Sequence, residues 1–176
     1  MVACLECQTK EINIPKEYGV IIIAHGDVPL DYFEKENMTM AEEHIEKWSE
    51  MVREWPRNEI NDPLSHDTKI LEKYIMKKGG YPIFEIGNLE FASPTLEEAL
   101  ENVIKKGAQR VIFIGGTGFM DRSSHSLIDI PEAIEKLRKI HPSIEMNYIK
   151  PNIELVCTEL AHMITSKVEK AIKNKN

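Results

Sequence analysis

Gly19-Val20-Ile21-Ile22-Ile23-Ala24-His25-Gly26-Asp27 joins an unbroken apolar run to an abrupt Ala-His-Gly stop. Val20 to Ile23 are all β-branched, and the run is too short for a helix. It predicts a strand buried on both faces of a parallel sheet. Open α/β sheets bind ligands just outside the carboxyl ends of their strands. His25 falls at that end, and Gly26 beside it lets a ligand or another backbone come close. Histidine suits proton transfer or metal ligation near neutral pH. The competing reading is an imidazole that only hydrogen-bonds a loop.

Outward from this first strand, 18–24, helices and strands alternate. Residues 1–17 read as an N-terminal extension, and 26–38 as a loop around Pro29. Ala41, Ile45, Trp48, Val52 and Trp55 recur at spacings of four and three, which predicts an amphipathic helix over 39–55 that Pro56 stops. A second helix, 64–78, starts at Asp62-Pro63 and stops at Gly79-Gly80. His44 and His66 sit on these two helices and read as surface residues rather than ligands. A second strand covers 81–87. Ser93 as cap and Pro94 at the first helical position open a helix over 94–106, which Gly107 ends. The third strand is Arg110 to Ile114. Asp129 is expected to cap a helix over 130–140. A fourth strand, 144–149, and a last helix, 152–173, complete the chain.

Strands alternating with helices imply right-handed crossovers and a parallel sheet. The fold class is therefore α/β with a central four-stranded parallel sheet, in one domain over 1–176. In the common strand order 2-1-3-4 the first and third strands are neighbours. Their connections leave on opposite faces, so a crevice opens between them. His25 follows one strand and His125 the other, so two histidines a hundred residues apart meet at one mouth. Glu90, just past the second strand, adds a carboxylate at the same end. Two imidazoles and a carboxylate suit Co²⁺, Ni²⁺, Fe²⁺ or Zn²⁺, and an imidazole also accepts protons near neutral pH.

Other features point less sharply. Gly115-Gly116-Thr117-Gly118 invites a phosphate-binding reading, which makes Gly116, Thr117 and Gly118 candidate cofactor-binding residues. No G-x-x-x-x-G-K-[ST] or G-x-G-x-x-G accompanies them, and such a turn also simply permits positive φ. Cys4 and Cys7 form one C-x-x-C and Cys157 stands alone, short of the four ligands of a structural zinc site. Cys4 and Cys7 read as reduced thiols on a flexible end, the alternative being a zinc shared between subunits or a disulfide. The net charge of −7 argues against nucleic acid or an anionic membrane as partner. Lys35, Arg53, Arg110 and Arg122 are the basic candidates near loops. No apolar run approaches the ~20 residues of a membrane helix, and Met1 to Ile14 lacks the pattern of a secretory signal. The expected compartment is the cytoplasm.

Three motifs in order resemble a known family. They are Ala24-His25-Gly26 after the apolar strand, the run Leu89-Glu90-Phe91-Ala92-Ser93-Pro94-Thr95-Leu96-Glu97-Glu98-Ala99-Leu100, and His125-x-x-x-Asp129-Ile130-Pro131 before a helix ending at His141-Pro142. Together they are similar to the CbiX-type sirohydrochlorin chelatases, class II enzymes that insert a divalent metal without ATP. The resemblance implies a chelatase-like fold, a version of the flavodoxin-like three-layer sandwich. It also implies insertion of Co²⁺, or Ni²⁺ or Fe²⁺, into sirohydrochlorin or a related tetrapyrrole, as in cobalamin, siroheme or F430-type biosynthesis. The family's histidine pair falls on His25 and His125, and its acidic position on Glu90. One copy of each motif implies a short form that works as a symmetric homodimer. The alternative use of the same pocket is a tetrapyrrole or metal carrier without catalysis. The chain departs from the family at Asp27-Val28, where Ser-Arg is usual, and in the glycine-rich stretch after the third strand. Residues 28–80, a loop and two helices, exceed the minimal form, and His-Gly-Asp followed by a helical insertion is faintly similar to the protoporphyrin ferrochelatases.

Overall fold

The computed structural model describes residues 14–32, 45–115, 123–150, 152 and 157–173, the side chains of 45–49 and 159 excepted. The elements are β1 (Tyr18–Ala24), α1 (Ile45–Glu54), α2 (Pro63–Gly79), β2 (Ile83–Asn88), α3 (Leu96–Lys105), β3 (Arg110–Gly115), a π turn (His125–Asp129) running into α4 (Ile130–Ile140), β4 (Glu145–Ile149) and α5 (Cys157–Lys173). Among the described residues the strands form one sheet in the order β2-β1-β3-β4, and every pairing is parallel.

β1 lies at the centre, as its unbroken β-branched run demands. Val20 to Ala24 are all buried, and alternate residues face opposite layers. Ile21 and Ile23 join Leu96, Leu100, Val103, Ile130, Ile134 and Leu137, so α3 and α4 cover one face. Val20 and Ile22 meet Phe84 on the other, with Ile75 of α2 packed against them. The helix after β1 and the helix after β3 therefore lie on opposite faces. This is the topological switch that opens a crevice at the carboxyl ends of β1 and β3.

Local chemistry sets most of the boundaries. Asp62 caps α2, its side chain accepting from the Ser65 N–H, with proline in the first turn. Gly80 closes that helix with φ of 59°, its N–H donating to the Met76 carbonyl. Two boundaries differ from expectation. β2 begins at Ile83 rather than residue 81, because Pro82 has no N–H for the ladder. Helix α3 is capped by Thr95, not Ser93, and Pro94 lies outside it. Thr95 and Glu98 form a reciprocal capping box. The Pro94 carbonyl instead accepts from the Asn88 N–H and the Asn88 side chain, at 2.8 and 3.1 Å, so 93–94 extend the edge of β2. The first six residues of the predicted 39–55 helix, with His44, and residues 153–156 of the last helix lie outside the described residues. So do Cys4, Cys7, Lys35, Gly116, Thr117, Gly118 and Arg122.

Candidate metal centre

The two loops that leave β1 and β2 continue side by side. Leu89 N–H donates to the Ala24 carbonyl at 2.9 Å, and Glu90 N–H to the His25 carbonyl at 2.8 Å. The parallel ladder thus runs past the formal strand ends and sets His25 beside Glu90. Gly26 makes this possible. Its φ is +82°, and a Cβ built there would stand 1.9 Å from the Glu90 carbonyl oxygen. No side chain fits between the loops.

His125 arrives from the other direction, on the π turn that precedes α4. The Ile130 N–H donates to the His125 carbonyl, a five-residue step characteristic of this turn. Asp129 consequently has helical backbone angles and makes no capping bond, in place of the expected N-cap. Helical geometry has already begun ahead of α4, so no free first turn remains to be capped. The Asp129 Oδ2 instead stands 2.7 Å from His125 Nδ1. That approach lies off the hydrogen-bonding axis of the ring, since Nδ1 makes no hydrogen bond, and is a close polar contact.

The result is that His25, Glu90 and His125 each place one ligand atom within 4.8 Å of the others. The imidazole centroids are 5.0 Å apart, and the rings stand edge to face at 72°. Two ligands about 2.1 Å from one ion stand at most about 4.2 Å apart, so small side-chain rotations would close the group on a cation. His25 and Glu90 are exposed and His125 is half-buried, which leaves coordination positions open. Tautomers follow from the neighbours. His25 Nδ1 lies 2.8 Å from the Gly26 carbonyl, a pure acceptor, so Nδ1 carries the proton and Nε2 keeps its lone pair. The carboxylate beside His125 Nδ1 favours the same tautomer there.

Arg57, which no motif marks, ties this region together. Its guanidinium donates to the Asp27 carbonyl at 2.9 Å and the Val52 carbonyl at 3.0 Å, and also to the Phe91 carbonyl and the Asp62 carboxylate. Phe91 has φ of +53°, a left-handed backbone costing roughly 1–2 kcal/mol for a residue with a side chain. Its ring lies 6.0 Å from that of His25 and packs with Val28, Tyr32, Val52 and Trp55. Asp31 accepts from Trp55 Nε1 and Asn61 Nδ2, at 3.1 and 3.0 Å, so the loop after β1 is pinned to the segment between the helices.

Burial raises the Asp62 carboxyl, but hydrogen bonds from Ser65 and Arg57, with the Arg57 charge, outweigh it and hold the group below its ordinary range. The folded state therefore takes up this proton less readily than the unfolded chain. Its stabilising contribution is complete above the ordinary carboxylate pKa of about 4 and is lost as pH falls through the lowered value. Asp62→Asn, which keeps a capping side chain, is expected to flatten the acid limb of stability against pH in urea titrations below about pH 4. A wild-type slope in the variant would remove Asp62 from the acid response.

The remaining candidates lie elsewhere. Arg110 opens β3 at the far, amino end of the sheet, bound to the Tyr18 hydroxyl and to Glu145. Arg53 lines an acidic recess with Glu50, Glu54 and Glu98. His66 is exposed in the first turn of α2, and Cys157 is exposed at the start of α5. No helix among the described residues is long and apolar enough to cross a membrane.

Known proteins are similar to this chain in sequence and in fold. A family model described as CbiX matches residues 61–164. The chain is 37% identical over 70 residues to a sirohydrochlorin ferrochelatase of Priestia megaterium, which is 40% of this chain and 26% of that protein. It is 33% identical over 73 residues to a sirohydrochlorin cobaltochelatase of Methanocaldococcus jannaschii, 42% of this chain and 49% of that one. The matches thus span about half or less of the length of these relatives. In fold it is similar to the sirohydrochlorin chelatase SirB from Bacillus subtilis subspecies spizizenii in complex with cobalt. The TM-score is 0.53 at 20% identity, over 85% of this chain and 50% of that one. With more than half of its residues under the family model, the chain belongs to the CbiX family.

Proposed function

We propose that this chain inserts a divalent metal ion into sirohydrochlorin or a related tetrapyrrole without ATP. The metal is a substrate, with Co²⁺ the first candidate and Ni²⁺ and Fe²⁺ the others. The observation that carries the reading is the cluster of two imidazoles and one carboxylate at a single mouth, within 4.8 Å. Its similarity to sirohydrochlorin chelatases supports the substrate class.

Metallation replaces two pyrrole N–H protons by one dication, so two protons must leave as the metal enters. The macrocycle N–H groups are poor acids in water, and a base and a cation must act together on them. His25 and His125 first share the hydrated ion through Nε2. As it passes to the ring nitrogens, each freed Nε2 takes a proton. Glu90 assists as ligand or relay. Three ligands leave the ion incompletely coordinated, and an ion held loosely is an ion that can be handed on. Gly116, Thr117 and Gly118, between β3 and His125 in the sequence, are the candidate cofactor-binding residues of this reading.

The working unit is a homodimer, in the cytoplasm. The fold match covers only half of SirB, and a second copy would supply the other half. The test offers sirohydrochlorin and protoporphyrin separately, each with Co²⁺, Ni²⁺ and Fe²⁺, and follows absorbance. Many turnovers with sirohydrochlorin are expected, from a species with the light-scattering mass of two chains. A signal that stops at one equivalent indicates a carrier instead. Absorbance identical in rate and amplitude to that without protein in all six mixtures would overturn both.

A further inference from the structure

The geometry points to Arg57 as a positioning residue for the His25–Glu90–His125 group. The helical segment between β1 and β2 then becomes part of the site's machinery. This inference rests on the reading of that group as a metal-binding site.

Arg57 touches none of the three ligand side chains. Two of its four acceptors nonetheless belong to the loops that carry two of them. Asp27, whose carbonyl it binds at 2.9 Å, is two residues past His25. Phe91, whose carbonyl it also binds, is next to Glu90. One planar group thus spans the gap between the β1 loop and the β2 loop and sets its width. The guanidinium is in turn held from behind. Asp62, with a side chain 1% exposed, pairs with it and caps α2, while the Val52 carbonyl fixes it against the end of α1. Position passes from two helices, through one arginine, to two metal-ligand loops.

Two features show that the clamp acts on the site rather than merely on the core. Phe91 holds a left-handed backbone, a conformation that persists only when its surroundings over-determine it. Arg57 grips that carbonyl, and the Phe91 ring stands beside His25. The task also requires a fork. A guanidinium presents several N–H donors in fixed relative directions, whereas an ammonium offers a point charge on a flexible stem. A lysine here keeps the pairing with Asp62 but not the fixed spacing of the two loops.

Titration of Co²⁺ alone, read by its visible absorption and paired with urea denaturation, tests this. The proteins are wild type, Arg57→Lys, Arg57→Gln, Glu90→Gln and the Arg57→Gln/Glu90→Gln double variant. Arg57→Lys is expected to stay folded and to bind Co²⁺ about tenfold more weakly, the lower end of what loss of an outer support costs a metal site. Arg57→Gln weakens binding at least as much. In the Glu90→Gln background its effect shrinks, because the arginine acts through the placement of that carboxylate. Wild-type Co²⁺ affinity in Arg57→Lys, or losses that simply multiply in the double variant, would overturn the positioning role. If Arg57→Gln does not fold, Arg57→Lys alone decides. Absence of Co²⁺ binding by the wild type overturns the metal reading and this inference together. Weakening by Glu90→Gln without weakening by Arg57→Lys overturns only the latter.

Discussion

Alanine at His25 or at His125 is expected to lower metal-insertion turnover by about 10²-fold or more, the effect of losing a positioned proton acceptor. The two residues reach the site by independent routes. His25 stands at the end of the central strand, and His125 on a π turn a hundred residues later. Neither belongs to the apolar clusters that hold the sheet to its helices, so either variant is expected to fold with near-wild-type stability. If both imidazoles serve one ion, as proposed, the double variant should be little worse than the more damaged single one. Steady-state absorbance with sirohydrochlorin and Co²⁺ measures the first effect, and Co²⁺ titration without tetrapyrrole measures the ligand role. Undiminished turnover in both single variants would take the pair out of the chemistry.

The second large effect is expected from the smallest change, Gly26→Ala. Two costs combine. A side chain at φ of +82° is strained by roughly 1–3 kcal/mol. The new Cβ would also stand 1.9 Å from the Glu90 carbonyl oxygen, which is backbone and has no rotamer to escape into. The loops must part, and the Glu90 N–H to His25 carbonyl bond at 2.8 Å is lost with them. Each kcal/mol lowers the melting temperature of a chain this size by about 2–4 °C, so a fall of several degrees is expected. Co²⁺ affinity should drop as well, because His25 and Glu90 no longer share a register. A melting temperature and affinity matching wild type would mean that the loops accommodate the methyl group. The tight approach would then have no bearing on the site.

The contrast between these two sites shows what a linear chain reveals. His25 was legible because a β-branched run, a histidine and a glycine follow one another, and a buried parallel strand places its next residue at the ligand-binding edge. Glu90 and His125 were legible at one remove. Their positions after the second and third strands become a shared location only through the 2-1-3-4 order, which the structure has. Asp129 shows the limit of local rules. An Asp before Ile-Pro has the composition of a cap, yet a π turn had already brought helical geometry to that position. The same holds for Ser93 and Pro94, which the Asn88 edge of β2 recruits before α3 begins.

What the amino-acid order determined by itself was the set of strands and helices and their sequence along the chain. Hydrophobic period, β-branching and the Asp62-Pro63 and Gly79-Gly80 signals act between neighbours, so neighbours suffice to read them. The role of Arg57 was decided by tertiary structure alone. Three of its four acceptors are main-chain carbonyls, contributed by Asp27, Val52 and Phe91. Every residue carries a carbonyl, so no residue type at those positions announces that an arginine will bind it. Only folding, which brings the Asp27 and Phe91 carbonyls, 30 and 34 residues away in sequence, to the same guanidinium as that of nearby Val52, selects them.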